Sequence, residues 1–293
     1  MKSKKTIPYP VSQKPVPTRF SLGSFNLLTA TVVVLLGAAS LVPSIEAAER
    51  TNTNTHKEHN FDNGKIWPFT EDQGFSQNQL AGEGITFVND NKRGGKVLKL
   101  TWKESEYDGS RRERGHEWRG ELTDNNEVFC GYYMNVPNSF PDNKNTIVWQ
   151  LYCWNSAGCN NWTSHMSIKN NDLYLTHRGA CTGGTEQRIL KNIPRGQDLG
   201  IQIRAILGNN GNGSMRVINN GTTLINDTDA WVGFGQFNGN TALTSIVGVK
   251  MGMYCFDTSD YTNNETRILY YDNFSNVINK GASSSWKLVD PRN

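Results

Sequence analysis

The chain has 293 residues, 36% of them apolar and 19% charged, with a formal net charge of +3. That length can bury a full-sized core, and a balance so near neutral excludes a strongly basic nucleic-acid binder. No period of about 20 to 50 residues repeats itself, which excludes solenoids and propellers.

The first fifty residues differ from the rest. Lys2, Lys4, Lys5, Lys14 and Arg19 precede an apolar run of 16 residues, Leu27 to Val42, and the small residues of "PSIEAAE" follow it. A bilayer-spanning helix needs about 20 apolar residues, so the run reads as a secretory signal over residues 1–47, cleaved near Ala47 or Ala48, and not as a retained anchor. Cleavage removes those five cations and Glu46, leaving 25 basic against 26 acidic side chains. The mature protein is expected to be extracellular and monomeric, with no membrane or nucleic-acid partner. A polar segment over residues 48–60 leads into one domain, residues 61–293.

After about Asn60, short β-rich stretches alternate with Asn, Asp, Gly and Pro. In chain order they are "KVLKLTW" from Lys96, "EWRGELT" from Glu117, "FCGYYMNV" from Phe129, "TIVWQLYCW" from Thr146, "HMSIKN" from His165, "LYLTHRG" from Leu173, "LGIQIRAIL" from Leu199, "GSMRVINN" from Gly213, "TTLIND" from Thr222, "IVGVKMGMY" from Ile246 and "TRILYYDNFS" from Thr266. "NNDLYL" and "INNGTTL" carry hairpin-turn residues. Few stretches hold a helical period for three turns. The expectation is an all-β fold with almost no helix: a β-jelly roll sandwich of two antiparallel sheets with a concave substrate cleft.

All five cysteines lie beyond the leader, where disulfides persist in a secreted chain. Five is odd, so at least one stays free or pairs between chains. Cys153 and Cys159 bracket "WNSAG" and are expected to pair, while Cys255, among apolar strand neighbours, is expected to be free. The cysteine spacings match no zinc pattern. Six N-x-S/T triplets, at Asn161, Asn212, Asn220, Asn226, Asn264 and Asn273, are read as surface loops.

Side chains alternate across a strand, and three stretches use this in an unusual way. In "VKMGMYCFD", Met251, Met253 and Cys255 form a core face, so Lys250, Gly252 and Tyr254 share the other one with Phe256. In "EWRGELT", Glu117, Arg119, Glu121 and Thr123 share a face; in "VWQLYCW", Gln150, Tyr152 and Trp154 do. Together they would line a polar cleft with stacking surfaces, as sugars require. Trp154 and Phe256 are read as packing residues.

Here the residues carry a resemblance. "RGEL" resembles the R-(S/T)-E-L strand of jelly-roll alginate lyases, "QLY" stands where they have Q-(I/V)-H, and "KMGMY" looks like their K-x-G-x-Y, in the same order. With its late "YYDNF" run, the chain beyond the leader more closely resembles the heparinase-I-like and glucuronan lyases of the same fold. Tyr152 departs from the alginate-lyase pattern at the place of its histidine.

The resemblance implies β-elimination on an acidic polysaccharide, glucuronan first and alginate next. Such a lyase removes the C5 proton beside a carboxylate and expels the 4-linked oxygen. Donors must hold that carboxylate as enolate charge develops, which suits Gln150 and the forked guanidinium of Arg119. Tyr254 is implied as the proton donor to the leaving group. A tyrosine, with an unperturbed pKa near 10, could also act as base only beside cations such as Lys250 or Arg119. His116 is the second candidate base, as glucuronan lyases carry a histidine near the R-x-E strand. Alternation puts it on the face opposite Arg119, unless Gly115 opens a bulge. His165 and His177 are the alternatives, and His56 and His59 are read as spectators. Lys250, Tyr152, Glu121 and Gly252 are expected to bind substrate, Gly252 by leaving room for the ring. The chemistry requires no cofactor; the resemblance allows a structural Ca²⁺ with Asp272 as a ligand.

Two rival functions compete. A glycoside hydrolase needs two carboxylates about 5 to 9 Å apart, whereas Glu117 and Glu121 are separated by roughly 13 Å along one strand. A non-catalytic lectin would have the aromatic cleft without the amide, cation and phenol.

Overall fold

The computed structural model describes residues 55–62, 64, 84–122, 127–153, 161–179, 184–233, 237–238, 241–242, 247–278 and 282–293, with the backbone alone at several positions, among them 118–122 and Cys153. The basic leader, the proposed Cys153–Cys159 pair, Cys181, and the side chains of Arg119 and Glu121 lie outside the described residues. Ala47–Asn293 forms one compact unit.

The strands are β1 (Thr55–His59), β2 (Ile85–Asn89), β3 (Lys96–Lys103), β4 (Gly115–Leu122), β5 (Glu127–Asn135), β6 (Thr146–Cys153), β7 (Asn161–Lys169), β8 (Asp172–His177), β9 (Thr185–Leu190), β10 (Asp198–Ile206), β11 (Gly208–Asn219), β12 (Thr222–Val232), β13 (Phe237–Asn238), β14 (Thr241–Ala242), β15 (Val247–Tyr254) and β16 (Thr266–Ile278). One sheet runs β12-β11-β10-β5-β16-β3-β2, with β1 added to the far half of β16; the other runs β4-β15-β6-β7-β8-β9; β13 and β14 pair separately. Every pairing is antiparallel, giving the two-sheet jelly roll expected from the strand series.

Period-2 alternation builds the core. Leu98, Leu100 and Trp102 of β3, Cys130, Tyr132 and Met134 of β5, Ile201 and Ile203 of β10, and Leu269 and Tyr271 of β16 face inward from the larger sheet. They meet Trp149 and Leu151 of β6, Met166 of β7, Leu175 of β8, and Val249, Met251 and Met253 of β15. The β7–β8 turn has positive φ at Asn170 and Asn171, and the β11–β12 turn at Asn220 and Gly221, as two-residue hairpins require. The one α-helix among the described residues, α1 (Ala282–Leu288), sets Trp286 edge-on to Phe129 at 5.3 Å.

Cys130 and Cys255 are both buried free thiols, and burial pushes the Cys255 thiol up to about 12, which makes it inert. The glycosylation triplets divide differently from the loop reading. Asn220 and Asn264 sit at positive-φ turns, whereas Asn161, Asn212, Asn226 and Asn273 lie within strands. Asn273 also gives its amide to Pro291 O at 2.9 Å, so this triplet is structural.

Candidate active site

The six-stranded sheet brings the three sequence motifs to one level. Lys250 pairs with Arg119 on one side and Gln150 on the other; Gln150 pairs with His165, and His165 with Thr176. Directly paired residues share a face, so Arg119, Lys250, Gln150, His165 and Thr176 form a row across β4, β15, β6, β7 and β8. At the adjacent level Met251, Trp149, Met166 and Leu175 are all 0–1% exposed in the core. The polar row therefore lies on the outer face.

Although that face points away from the core, Gln150 is 3% and His165 8% exposed. Polar side chains crowd one another there and hold each other in place. The Gln150 amide donates to a carboxylate oxygen of Glu117, the β4 residue opposite Gly252. An amide nitrogen has two protons, so one remains for a ligand carboxylate. Lys250 Nζ lies 4.3 Å from the Tyr152 ring centroid. Across the β6–β7 pairing, Trp162 faces Tyr152, stacks under the Arg178 guanidinium at 3.6 Å, and meets the His165 ring edge-on at 4.3 Å. Cations laid on aromatic rings give this face both positive charge and flat apolar surfaces.

Burial lowers the His165 pKa from 6.5 to about 4, with the Arg178 charge acting in the same direction. The ring is neutral at neutral pH, and its Nδ1 is buried without a hydrogen-bond partner. His116 is placed elsewhere. The β4–β15 register runs without a shift from Gly115 to Leu122, so no bulge re-aims the ring. It lies wholly buried beside Met253, on the core side, and its Nε2–H donates to Thr101 O at 3.0 Å. Burial lowers its pKa to about 4 as well. This histidine bridges the two sheets and does not join the Gln150 row. His177 also turns inward, with Nε2 3.3 Å from Asp227 of β12, and His56 bonds Ser275 on β16 at 2.9 Å.

Tyr254 ends β15 beside Gly115 of β4 and Ile147 of β6. The register against β6 slips between Met251 and Tyr254, a bulge that turns the strand end. Gly252 makes that bulge, and its reason differs from the one expected. Its φ is +140°, and a Cβ there would sit 2.0 Å from His116 O and 2.8 Å from Glu117 Cα. The glycine is demanded by the approach of β4, while its carbonyl accepts the buried Tyr271 hydroxyl at 2.6 Å. Of the remaining expected residues, Arg119 and Glu121 are placed by backbone register alone, opposite Lys250 and Gly248.

Asp272 stands in an ion-paired setting on the larger sheet. Its carboxylate, on β16 in the other sheet, faces Arg93 Nε at 3.3 Å and accepts from Asn273 N at 2.9 Å. Burial lifts its pKa to about 6, with Asp62 and Asp90 adding to the lift. Arg93 lies against this carboxylate, and among the described residues no group of three His, Cys, Asp or Glu side chains converges on one point.

Sequence reasoning missed Glu117 as the partner of Gln150, and Trp162 and Arg178 altogether. Glu117 was visible as a face-mate of Arg119; Trp162 depends on the β6–β7 register, which slips between Leu151 and Tyr152, and Arg178, the residue after β8, depends on its amide bonding back to Thr163 O.

No family model and no curated protein sequence matches the chain. Solved structures do. The crystal structure of endo-β-1,4-glucuronan lyase from the fungus Trichoderma reesei superposes with a TM-score of 0.59 at 16% identity, covering 82% of this chain and 99% of that one. Alginate lyase A1-II′, a member of polysaccharide lyase family 7, gives 0.47 at 16% identity over 65% of this chain and 82% of that one. Alginate lyase Aly36B gives 0.48 at 14% identity over 77% and 97%. The first match establishes that this chain has the fold of the glucuronan lyase.

Proposed function

We propose that this protein is a secreted polysaccharide lyase that cleaves a uronic-acid polymer by β-elimination, with β-1,4-linked polyglucuronate favoured and alginate next. The observation that carries the reading is the outer-face row in which Lys250, Gln150 and His165 stand side by side, with Tyr254 further along the Lys250 strand. Neighbouring strands are about 4.8 Å apart, so three adjacent residues can reach one sugar. The fold shared with a glucuronan lyase and the late "YYDNF" run favour glucuronan over alginate.

In the proposed step, His165 accepts the C5 proton, and the C5–H electron pair becomes the C4–C5 double bond as the C4–O4 bond breaks. O4 takes the Tyr254 phenolic proton; solvent then returns a proton to the phenolate and removes one from the imidazolium. Gln150 and Lys250 hold the carboxylate, where charge accumulates as the enolate forms, and Arg119 is level with them on β4 by backbone register. A buried imidazole is a weak base in the free protein. A bound uronate brings negative charge beside it and favours its protonated form.

The carboxylates disfavour a glycoside hydrolase. Glu117 is held by Gln150, and Glu186, at the far end of the row, is five strands away, roughly 24 Å. That separation is far from the about 5 to 9 Å of a hydrolase pair. The test is to incubate the protein with glucuronan, alginate, heparin and pectate and follow ultraviolet absorbance of the new conjugated alkene. Absorbance rising fastest on glucuronan is expected; none on any of the four would reject the reading.

A further inference from the structure

We propose that Arg111 and Arg114, on the turn leading into β4, form a carboxylate-binding subsite beyond Tyr254 that grips a neighbouring acidic sugar of the same polymer. The proposal takes the kind of polymer from the lyase reading but stands on separate residues.

Arg111–Glu113 is a single 3₁₀ turn, fixed from two sides. Trp102 Nε1 donates to Glu113 O at 2.8 Å, and the amide of Cys255, next to Tyr254, donates to Arg114 O at 2.7 Å. This clamps the turn to the end of β15. Arg111 is exposed, with its guanidinium 6.0 Å from the Tyr254 ring centroid. Arg114 is half-buried, its Nε donating to the Tyr107 hydroxyl at 3.3 Å.

The acids of the same loop are all committed elsewhere. Glu106 pairs with Lys103 at 2.7 Å, and Glu104 accepts from Asn264 N at 3.0 Å. Glu113 accepts from Asp108 N at 2.6 Å, and the two carboxyl groups share a hydrogen bond that raises the Glu113 pKa and lowers that of Asp108. Among the described residues, neither arginine has a carboxylate within ion-pair distance. Two guanidinium forks with donors to spare, beside a phenol and on the proposed cleavage face, suit a carboxylate in bidentate geometry.

The test uses Arg111→Gln, the Arg111→Gln/Arg114→Gln double variant, Arg111→Lys, and Lys287→Gln as a charge-matched control on α1. Retardation in gels containing polyglucuronate or a neutral β-1,4-glucan gives binding; alkene formation is measured separately. Arg111→Gln should weaken polyglucuronate binding about three- to tenfold with an unchanged melting temperature, and the double variant more. Arg111→Lys should recover part of the loss, and Lys287→Gln should match the unmodified protein. KM should rise more than kcat falls. Binding by Arg111→Gln equal to the unmodified protein, or no retardation of the unmodified protein by polyglucuronate, would overturn the proposal. Arg111-dependent binding without alkene formation would uphold the subsite and reject the lyase reading; alkene formation indifferent to Arg111 would do the reverse.

Discussion

The side-chain amide of Gln150 on β6 donates to the carboxylate of Glu117 on β4, so the bond reaches over the strand between them near Gly252, which has no side chain to obstruct it. Glu117 thereby fixes which way the amide faces. If that is its role, Glu117→Ala should lower kcat about tenfold and change KM less, because a freed amide no longer meets the developing enolate in one orientation. In a double-mutant cycle, adding Glu117→Ala to Gln150→Ala should cost little more, since both remove the same oriented donor. Full additivity of the two losses would separate Glu117 from Gln150.

Gly252→Ala is expected to damage folding before it damages binding. A Cβ 2.0 Å from a backbone oxygen, at φ +140°, cannot be relieved by a rotamer change. A loss of about 2 to 4 kcal/mol in urea unfolding is expected, the range of a forced backbone shift in a packed sheet. A stable Gly252→Ala protein with weakened substrate binding would instead favour the sugar-space role.

Acid should destabilise the protein through its buried histidines. His116 and His165 have pKa values near 4 in the fold against 6.5 outside it, so between those limits the unfolded chain binds more protons. Their stabilisation is complete above pH 6.5 and is lost as pH falls through 4, at up to about 3 kcal/mol for each ring. Asp272 acts the other way. Its raised pKa of about 6 makes its contribution complete below 3.8 and lost as pH rises through 6. The urea midpoint should therefore fall between pH 7 and 4.5, less steeply in His116→Gln. His116→Gln should retain elimination at neutral pH while His165→Gln loses it; the opposite pattern would make His116 the base.

Much of this was legible in the sequence, because period-2 alternation reports faces directly. Met251 and Met253 against Lys250 and Tyr254 fixed the polarity of β15, and the same rule set His116 opposite Arg119. The turn residues Asn170–Asn171 and Asn220–Gly221 marked two hairpins. What alternation cannot report is which residues of different strands lie level. His165 joins Gln150 through a pairing with register slips on both sides, at Ile147–Trp149 and Leu151–Tyr152, and no local pattern encodes those. β1, β2 and β9 escaped notice: "THKEH" and "TEQRIL" are mostly polar edge segments, and "ITFVN" is a five-residue edge strand with no fully buried residue. The need for Gly252 was hidden too, since it comes from the backbone of another strand.

Arg119 and Gln150 are expected to act on the transition state. Arg119→Ala and Gln150→Ala should each reduce kcat more than they raise KM, because their bonds strengthen as charge moves onto the substrate carboxylate. A pure KM effect in both would mean that they only hold the ground state.

The most direct measurement is the initial rate of alkene absorbance on polyglucuronate for Tyr254→Phe beside the unmodified protein. The substitution keeps the ring, its contact with Phe256 at 6.1 Å and its neighbour Arg111, and removes only the hydroxyl. Losing a positioned acid costs about 10²- to 10⁴-fold. The account predicts a fall of at least a hundredfold with unchanged unfolding and little change in polyglucuronate binding. Near-normal elimination by Tyr254→Phe would contradict it, and both proton transfers would then have to come from a histidine.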